Sequence, residues 1–183
     1  SSADIFKIII STGNIMWSRN TAESMYANAT DFFDSSEVVL TEDQVIFSSN
    51  STIFSFDANN GELKWKNELN SVSAPIIDGK NIFVVTDNGY FVILDKNTGE
   101  IISSTNILKI LKEKNQNTLV KSFILGSGKI YSVTSNGFII VSSAVTGKTE
   151  YFKKIGESNI SHLIINNGAL YFLNESSKIV GFN

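Results

Sequence analysis

Residues 74–99 read APIIDGKNIFVVTDNGYFVILDKNTG. Three short apolar runs, Ile76-Ile77, Ile82-Phe83-Val84 and Phe91-Val92-Ile93-Leu94, are divided by Asp78-Gly79-Lys80-Asn81 and by Asn88-Gly89. Gly and Asn accept the positive φ of tight hairpins, so the stretch predicts three antiparallel strands, with Asn88-Gly89 in a type I′ turn. Asn97-Thr98-Gly99 then turns the chain into a fourth strand, from Glu100 to Ser103.

The same unit recurs along the chain. Glycines 13, 61, 99 and 147 each close an equivalent turn, 48, 38 and 48 residues apart. Four residues after them stand Trp17, Trp65, Ser103 and Tyr151; four before them stand Ile9, Asp57, Asp95 and Ser143. A second set of offsets agrees. Val38-Val39-Leu40 precedes Val45-Ile46-Phe47, and Phe123-Ile124-Leu125 precedes Ile130-Tyr131-Ser132, with the same spacing of seven as in Pro75 to Ile82 and Leu163 to Leu170. Asn136-Gly137 repeats the type I′ signal of Asn88-Gly89. Each unit is therefore a four-stranded antiparallel meander of about 40 residues, the size of a propeller blade. The first two strands of a unit, apolar on both faces, are expected to lie innermost and the later, more polar ones outside.

The fold class that follows is all-β: a β-propeller of four-stranded antiparallel blades, with about four repeats present, read as part of a seven- or eight-bladed ring. The chain is read as a single propeller domain or a fragment of one, with blade segments at about 1–18, 37–66, 74–104, 122–152 and 162–183. A β-sandwich would have to produce four matching offsets by coincidence. A helical solenoid is excluded, because no 3.6-residue period runs through the units.

Composition narrows the function. The 183 residues contain no Cys and one His, which excludes disulfide scaffolds and Cys-built zinc sites. The net charge of -3 lacks the basic stripe a nucleic-acid binder needs. The longest apolar runs are too short to cross a bilayer. His162, just before Leu163-Ile164-Ile165, is expected at a strand end by the channel rim. Asp31, Asp34 and Glu37 read as a solvated acidic patch.

Function is sought in the connectors. From the turn glycine to the next first strand the chain takes 25, 14, 24 and 16 residues, so two connectors, about 18–36 and 104–122, carry some ten extra residues on the same face of the ring. Loops on a rigid scaffold are where function collects. Met25, Tyr26, Phe32 and Phe33 in the first, and Ile107, Leu108, Ile110 and Leu111 in the second, are the candidate partner-binding residues. The spacing of the second group predicts a short amphipathic helix. The competing reading is that these side chains tuck onto the ring.

The motifs Ala74-Pro75-Ile76-Ile77, Asp87-Asn88-Gly89, Leu94-Asp95 and Asn97-Thr98-Gly99 resemble the repeat of quinoprotein-like (PQQ-like) β-propellers. The run from Phe56-Asp57 through Asn60-Gly61 to Trp65 resembles its most distinctive part. The resemblance implies that Trp17, Trp65 and Tyr151 dock between blades while Asp57 and Asp95 fix the turns. Within that family the chain is similar to the propeller lipoproteins of the outer-membrane β-barrel assembly machinery. That likeness implies a non-catalytic scaffold, without cofactor or metal, in the periplasm or at the outer membrane. Its partner would be another protein, such as an envelope assembly factor, and half-rings would be able to self-associate. The alternatives are a quinone (PQQ)-dependent dehydrogenase-like protein and a ligand-sensing propeller domain. A working quinoprotein dehydrogenase needs a calcium-binding acidic cluster and commonly a vicinal Cys pair, and here Asp57 and Asp95 fall at turn positions.

Overall fold

The structure is a computed structural model that describes residues 4–21, 35–49, 51–115, 117–156, 160–174 and 176–182. Seventeen strands form five separate antiparallel sheets among these residues. Strands β1 (Asp4–Ile8) and β2 (Ile15–Asn20) make a two-stranded sheet. The first complete blade runs β3 (Val39–Leu40), β4 (Gln44–Ser49), β5 (Thr52–Asp57) and β6 (Leu63–Asn67). The second runs β7 (Ile76–Asp78), β8 (Asn81–Val85), β9 (Tyr90–Asp95) and β10 (Ile101–Asn106). The third runs β11 (Val120–Gly126), β12 (Lys129–Thr134), β13 (Phe138–Ser143) and β14 (Thr149–Lys154). Strands β15 (Ser161–Asn166), β16 (Ala169–Leu173) and β17 (Ile179–Phe182) form a three-stranded sheet. In every sheet, sequence neighbours are spatial neighbours.

Alternation of side chains explains why the strands are apolar on both faces. In β8, Ile82 and Val84 join Ile46, Ile53 and Trp65 of the preceding blade. Phe83 and Val85 point the other way, to Phe123, Ile130 and Phe138 of the following blade. The third blade repeats this, sending Val133, Ile139 and Val141 to Leu163, Leu170 and Phe172. Successive residues of a strand point to opposite faces, so a sheet packed between two others needs an unbroken apolar run. This is face-to-face blade packing, and four clusters of this kind hold the chain together.

One expectation is corrected. The middle strands are the most buried, not the first two: β4, β5, β8 and β9 are almost wholly buried, whereas β3 and β7 are half-exposed. A middle strand has a neighbour at both edges and a blade on both faces. A first strand has open space on one side, and the first-strand segments of the blades border one cavity of about 590 Å³ lined by Glu37, Ala74, Ile76, Phe123 and Leu163.

Each fourth strand begins with the same device. A bulge inserts Met16, Lys64, Ile102 or Glu150, three residues after the turn glycine. The turns are alike too: the amides of Gly13, Gly61, Gly99 and Gly147 donate to the carbonyls of Ile9, Asp57, Asp95 and Ser143 at 2.7 to 2.9 Å. Asp57 Oδ1 accepts from the amides of Asn59 (2.8 Å) and Asn60 (3.2 Å), and Asp95 Oδ1 from those of Asn97 (2.8 Å) and Thr98 (3.0 Å). Ser143 Oγ holds the equivalent amides of Val145 and Thr146 at 3.3 and 3.2 Å. These backbone bonds keep the carboxyls of Asp57 and Asp95 below the ordinary carboxylate range.

The glycines serve the preceding blade as well as the turn. The ring of Trp17 lies on Gly61, where a Cβ would come within 2.6 Å of it, and Trp65 lies on Gly99 in the same way, at 2.5 Å. The indoles also donate across the interface, Trp17 to the Ala58 carbonyl (3.3 Å) and Trp65 to the Lys96 carbonyl (2.9 Å). At Gly147 the slot is filled by Thr105 and Phe91 instead, since Ser103 offers no ring. Tyr151 departs from the docking expectation: it is 48% exposed, because the described residues supply no following turn glycine for it to lie on.

The turns at Asn88-Gly89 and Asn136-Gly137 are not type I′, which requires positive φ at both central residues. Only the glycines have it, at 82° and 76°. The amide of Gly89 donates to the Thr86 carbonyl (2.9 Å) and that of Tyr90 to the Thr86 hydroxyl (2.9 Å). Gly137 and Phe138 use Thr134 identically. The threonine hydroxyl bonds the amide of the returning strand, which favours a longer loop over a two-residue one. Paired positive φ occurs instead at Ser127-Gly128 and Asn167-Gly168.

Two tests follow. Gly79→Ala, where a Cβ meets nothing within 4 Å, should cost only the positive-φ strain, about 1 kcal/mol in urea denaturation. Gly61→Ala and Gly99→Ala should cost clearly more, about 2 kcal/mol or above, because a rigid indole must also move. The acid limb gives the second test. With folded pKa values depressed, the contribution of Asp57 and Asp95 is present above the unfolded carboxylate value, about 3.9, and is lost as pH falls through the folded value. A double Asp57→Asn, Asp95→Asn variant keeps the amide acceptors, so its melting temperature should fall less steeply below about pH 4 than that of the parent.

Candidate functional site

The two long connectors are the candidate site. Met25, Tyr26, Phe32 and Phe33 of the first lie outside the described residues, as do Asp31 and Asp34. Its final residues are described: Ser35 bridges to Ser49, the Ser36 amide donates to the Ser48 carbonyl (2.8 Å), and the Ser36 hydroxyl accepts from the Ser48 amide (2.9 Å). The connector therefore enters the first blade along the buried end of β4.

The second connector forms a 3-10 helix over Ile107–Asn115, kinked at Lys112, whose φ of 51° and ψ of -123° are non-helical. The Asn106 side chain caps it by accepting from the Lys109 amide (3.1 Å). The Ile107 amide donates to the Gly89 carbonyl (2.9 Å) and its carbonyl accepts from the Thr149 hydroxyl (3.5 Å). Ile107, Leu108 and Leu111 are buried in the core between the second and third blades, and Ile110 packs half-buried against it. Offered as partner-facing residues, Ile107, Leu108 and Leu111 are instead covered by the ring. The reason lies in Gly89: a Cβ there would overlap Leu108, and its absence opens the slot that the leucine fills.

What this face presents outward is different. The end of the first connector and the end of the second meet at one cleft of about 260 Å³, lined by Ser35, Ser36, Ser48, Asn70, Ser71, Asp87, Leu119 and Lys121. The Ser71 amide donates to the Ser48 hydroxyl (3.1 Å) and the Val120 amide to the Asp87 carbonyl (2.8 Å), which ties the blades together around it. The Leu119 backbone is held to Ser135 by two bonds, yet its side chain is 40% exposed. The cleft is thus a rigid polar rim with a few apolar side chains. Sequence spacing singled out the connectors but not their end residues, since Leu119 and Lys121 belong to no repeated motif. His162 lies in β15.

Comparison with known proteins follows the fold. The family described as outer membrane protein assembly factor BamB matches residues 1–105. No curated protein matches the chain. Among solved structures, BamB from Moraxella catarrhalis superposes with a TM-score of 0.73 at 19% identity, over 100% of this chain and 55% of that one. The β-propeller domain of Cps50 (Swd1) from Myceliophteria thermophila gives 0.72 at 9% identity, over 98% and 58%. A europium-containing methanol dehydrogenase gives 0.69 at 13% identity, over 96% and 46%. At these identities the structures share the fold. The chain spans about half the length of the BamB it matches.

The inward role of the second connector is testable by stability. Leu108→Ala should lower unfolding free energy by about 2–5 kcal/mol, whereas Leu119→Ala on the open rim should stay within about 0.5 kcal/mol of the parent.

Proposed function

We propose, since the chain belongs to the family of the outer membrane protein assembly factor BamB, that it is a non-catalytic propeller scaffold holding a partner protein in the bacterial cell envelope, periplasmic or at the outer membrane, during outer-membrane protein assembly. The observation that carries this reading is the family match over residues 1–105, joined to a fold shared along the whole chain with a BamB. The rim around Leu119, Lys121 and Asp87 supports it, because a rigid surface costs little ordering entropy on association. The acidic residues Asp57 and Asp95, the ones a quinoprotein reading would recruit as ligands, are already engaged by turn amides. Fold likeness to a methanol dehydrogenase carries no activity across, since one fold hosts many functions.

A photo-crosslinking amino acid at position 119 or 121, in the protein expressed in its own envelope, should give adducts with a subunit of the β-barrel assembly machinery. The same probe at Val145, an 83% exposed outer turn residue, should not. Equal labelling from all three positions, or none, would remove the rim from the reading. A titration with pyrroloquinoline quinone and calcium, followed by tryptophan fluorescence, should show no saturable quenching. Saturation would move the protein to the quinone-dependent class.

A further inference from the structure

The outer rim of a propeller is a series of free strand edges, and free edges pair with other chains unless something stops them. The usual blocking device is a charged side chain, most often lysine. Beyond the shared bulge, the regular parts of the four fourth strands are 17–20, 65–67, 103–106 and 151–154. The first carries Arg19, the second Lys66 and the last Lys153 and Lys154. Segment 103–106 reads Ser-Ser-Thr-Asn and carries no charge. The residue at its bulge, Ile102, is 58% exposed, and Ile101 beside it is 49% exposed. In β6 and β14 the bulge residue is charged, Lys64 or Glu150.

The register identifies which backbone groups are free. Thr105 lies opposite Phe91 and Ser103 opposite Ile93, and the Ile107 amide bonds the Gly89 carbonyl. Antiparallel bonding alternates, so residues 103, 105 and 107 bond inward to β9 while Ser104 and Asn106 direct N–H and C=O outward.

We propose that β10 is a self-pairing edge through which two copies of this chain join, antiparallel, about a two-fold axis at Ser104. Ser104 then faces Ser104 of the second copy, Ser103 faces Thr105, and Ile102 faces Asn106. Every facing pair is neutral. The flanking charges are opposite in sign, Glu100 before the strand and Lys109 after it, so the axis brings the Glu100 end of one copy to the Lys109 end of the other. This self-complementarity is what commits the edge to a second copy, since an isologous contact requires one patch to match itself. The same operation on β6, about Lys66, would set that lysine against its own copy, and on β14, about Phe152, it would bring Lys153 and Lys154 of both copies onto one short ladder. The inference is independent of the proposed function.

The chain has no cysteine, so Ser104→Cys introduces the sole thiol. Mild oxidation of that variant should give a disulfide-linked dimer, because only a residue on the axis faces its own copy. Lys66→Cys, at the equivalent position of β6, should stay monomeric. In sedimentation equilibrium the parent should show a concentration-dependent dimer, and Ser104→Lys should weaken it about tenfold or more. Circular dichroism checks that both variants fold; should the lysine variant fail to, the cysteine series decides alone. A parent that stays monomeric at all concentrations, a dimer indifferent to Ser104→Lys, or crosslinking at position 66 equal to that at 104 would overturn the proposal. The last two outcomes would locate self-association at another edge, such as β6.

Discussion

Everything in this molecule depends on one constraint: a blade is stable only when both of its faces are covered. A four-stranded sheet cannot bury an apolar side chain against itself, because its side chains leave the sheet on opposite faces. Ile82 and Phe83 are neighbours in sequence, yet they enter different cores. Each such core is shared by two blades, so the units stand or fall together, as in other repeat architectures. The tryptophans and glycines refine that packing. Trp17 and Trp65 each replace the missing side chain of a glycine in the next turn, so one residue sets the conformation of its own turn and the spacing to the blade before it.

The second long connector obeys the same constraint. Apolar side chains grouped in a loop read as a docking surface when the loop is imagined in solvent. In the folded chain they lie over the hairpin at Gly89 and extend the core between the second and third blades. Their burial moves the exposed, chemically mixed surface to the ends of the connectors, where Leu119 and Lys121 meet Ser35, Ser36 and Asp87. Backbone bonds from two blades fix that rim, so what it can offer a partner is shape and preset polarity.

The outer rim follows a different logic. There many side chains are exposed, and electrostatics decides what the edge does. Lysines and an arginine mark three of the four fourth strands. The neutral strand β10 is the exception, and it is also the strand that leads into the packed connector. Fold and edge chemistry are separable here, since Ser104 itself is exposed.

Much of the architecture was legible in the amino-acid order. Equal offsets between apolar runs, with Gly or Asn between them, determine that strands form and that neighbours pair, because hairpin geometry is local and period-two patterning is strict. Aspartates two or three residues before turn amides are likewise local. What the order left open is everything that depends on a non-local neighbour. It could not tell that the second and third strands, and not the first two, are the buried pair, since that is set by the cavity along the axis. It could not tell that Tyr151 stays exposed while Trp65 docks, since the two differ in what stands opposite. Nor could it turn Leu108 inward: the slot that receives it is made by Gly89, nineteen residues earlier, and only the folded chain brings the two together.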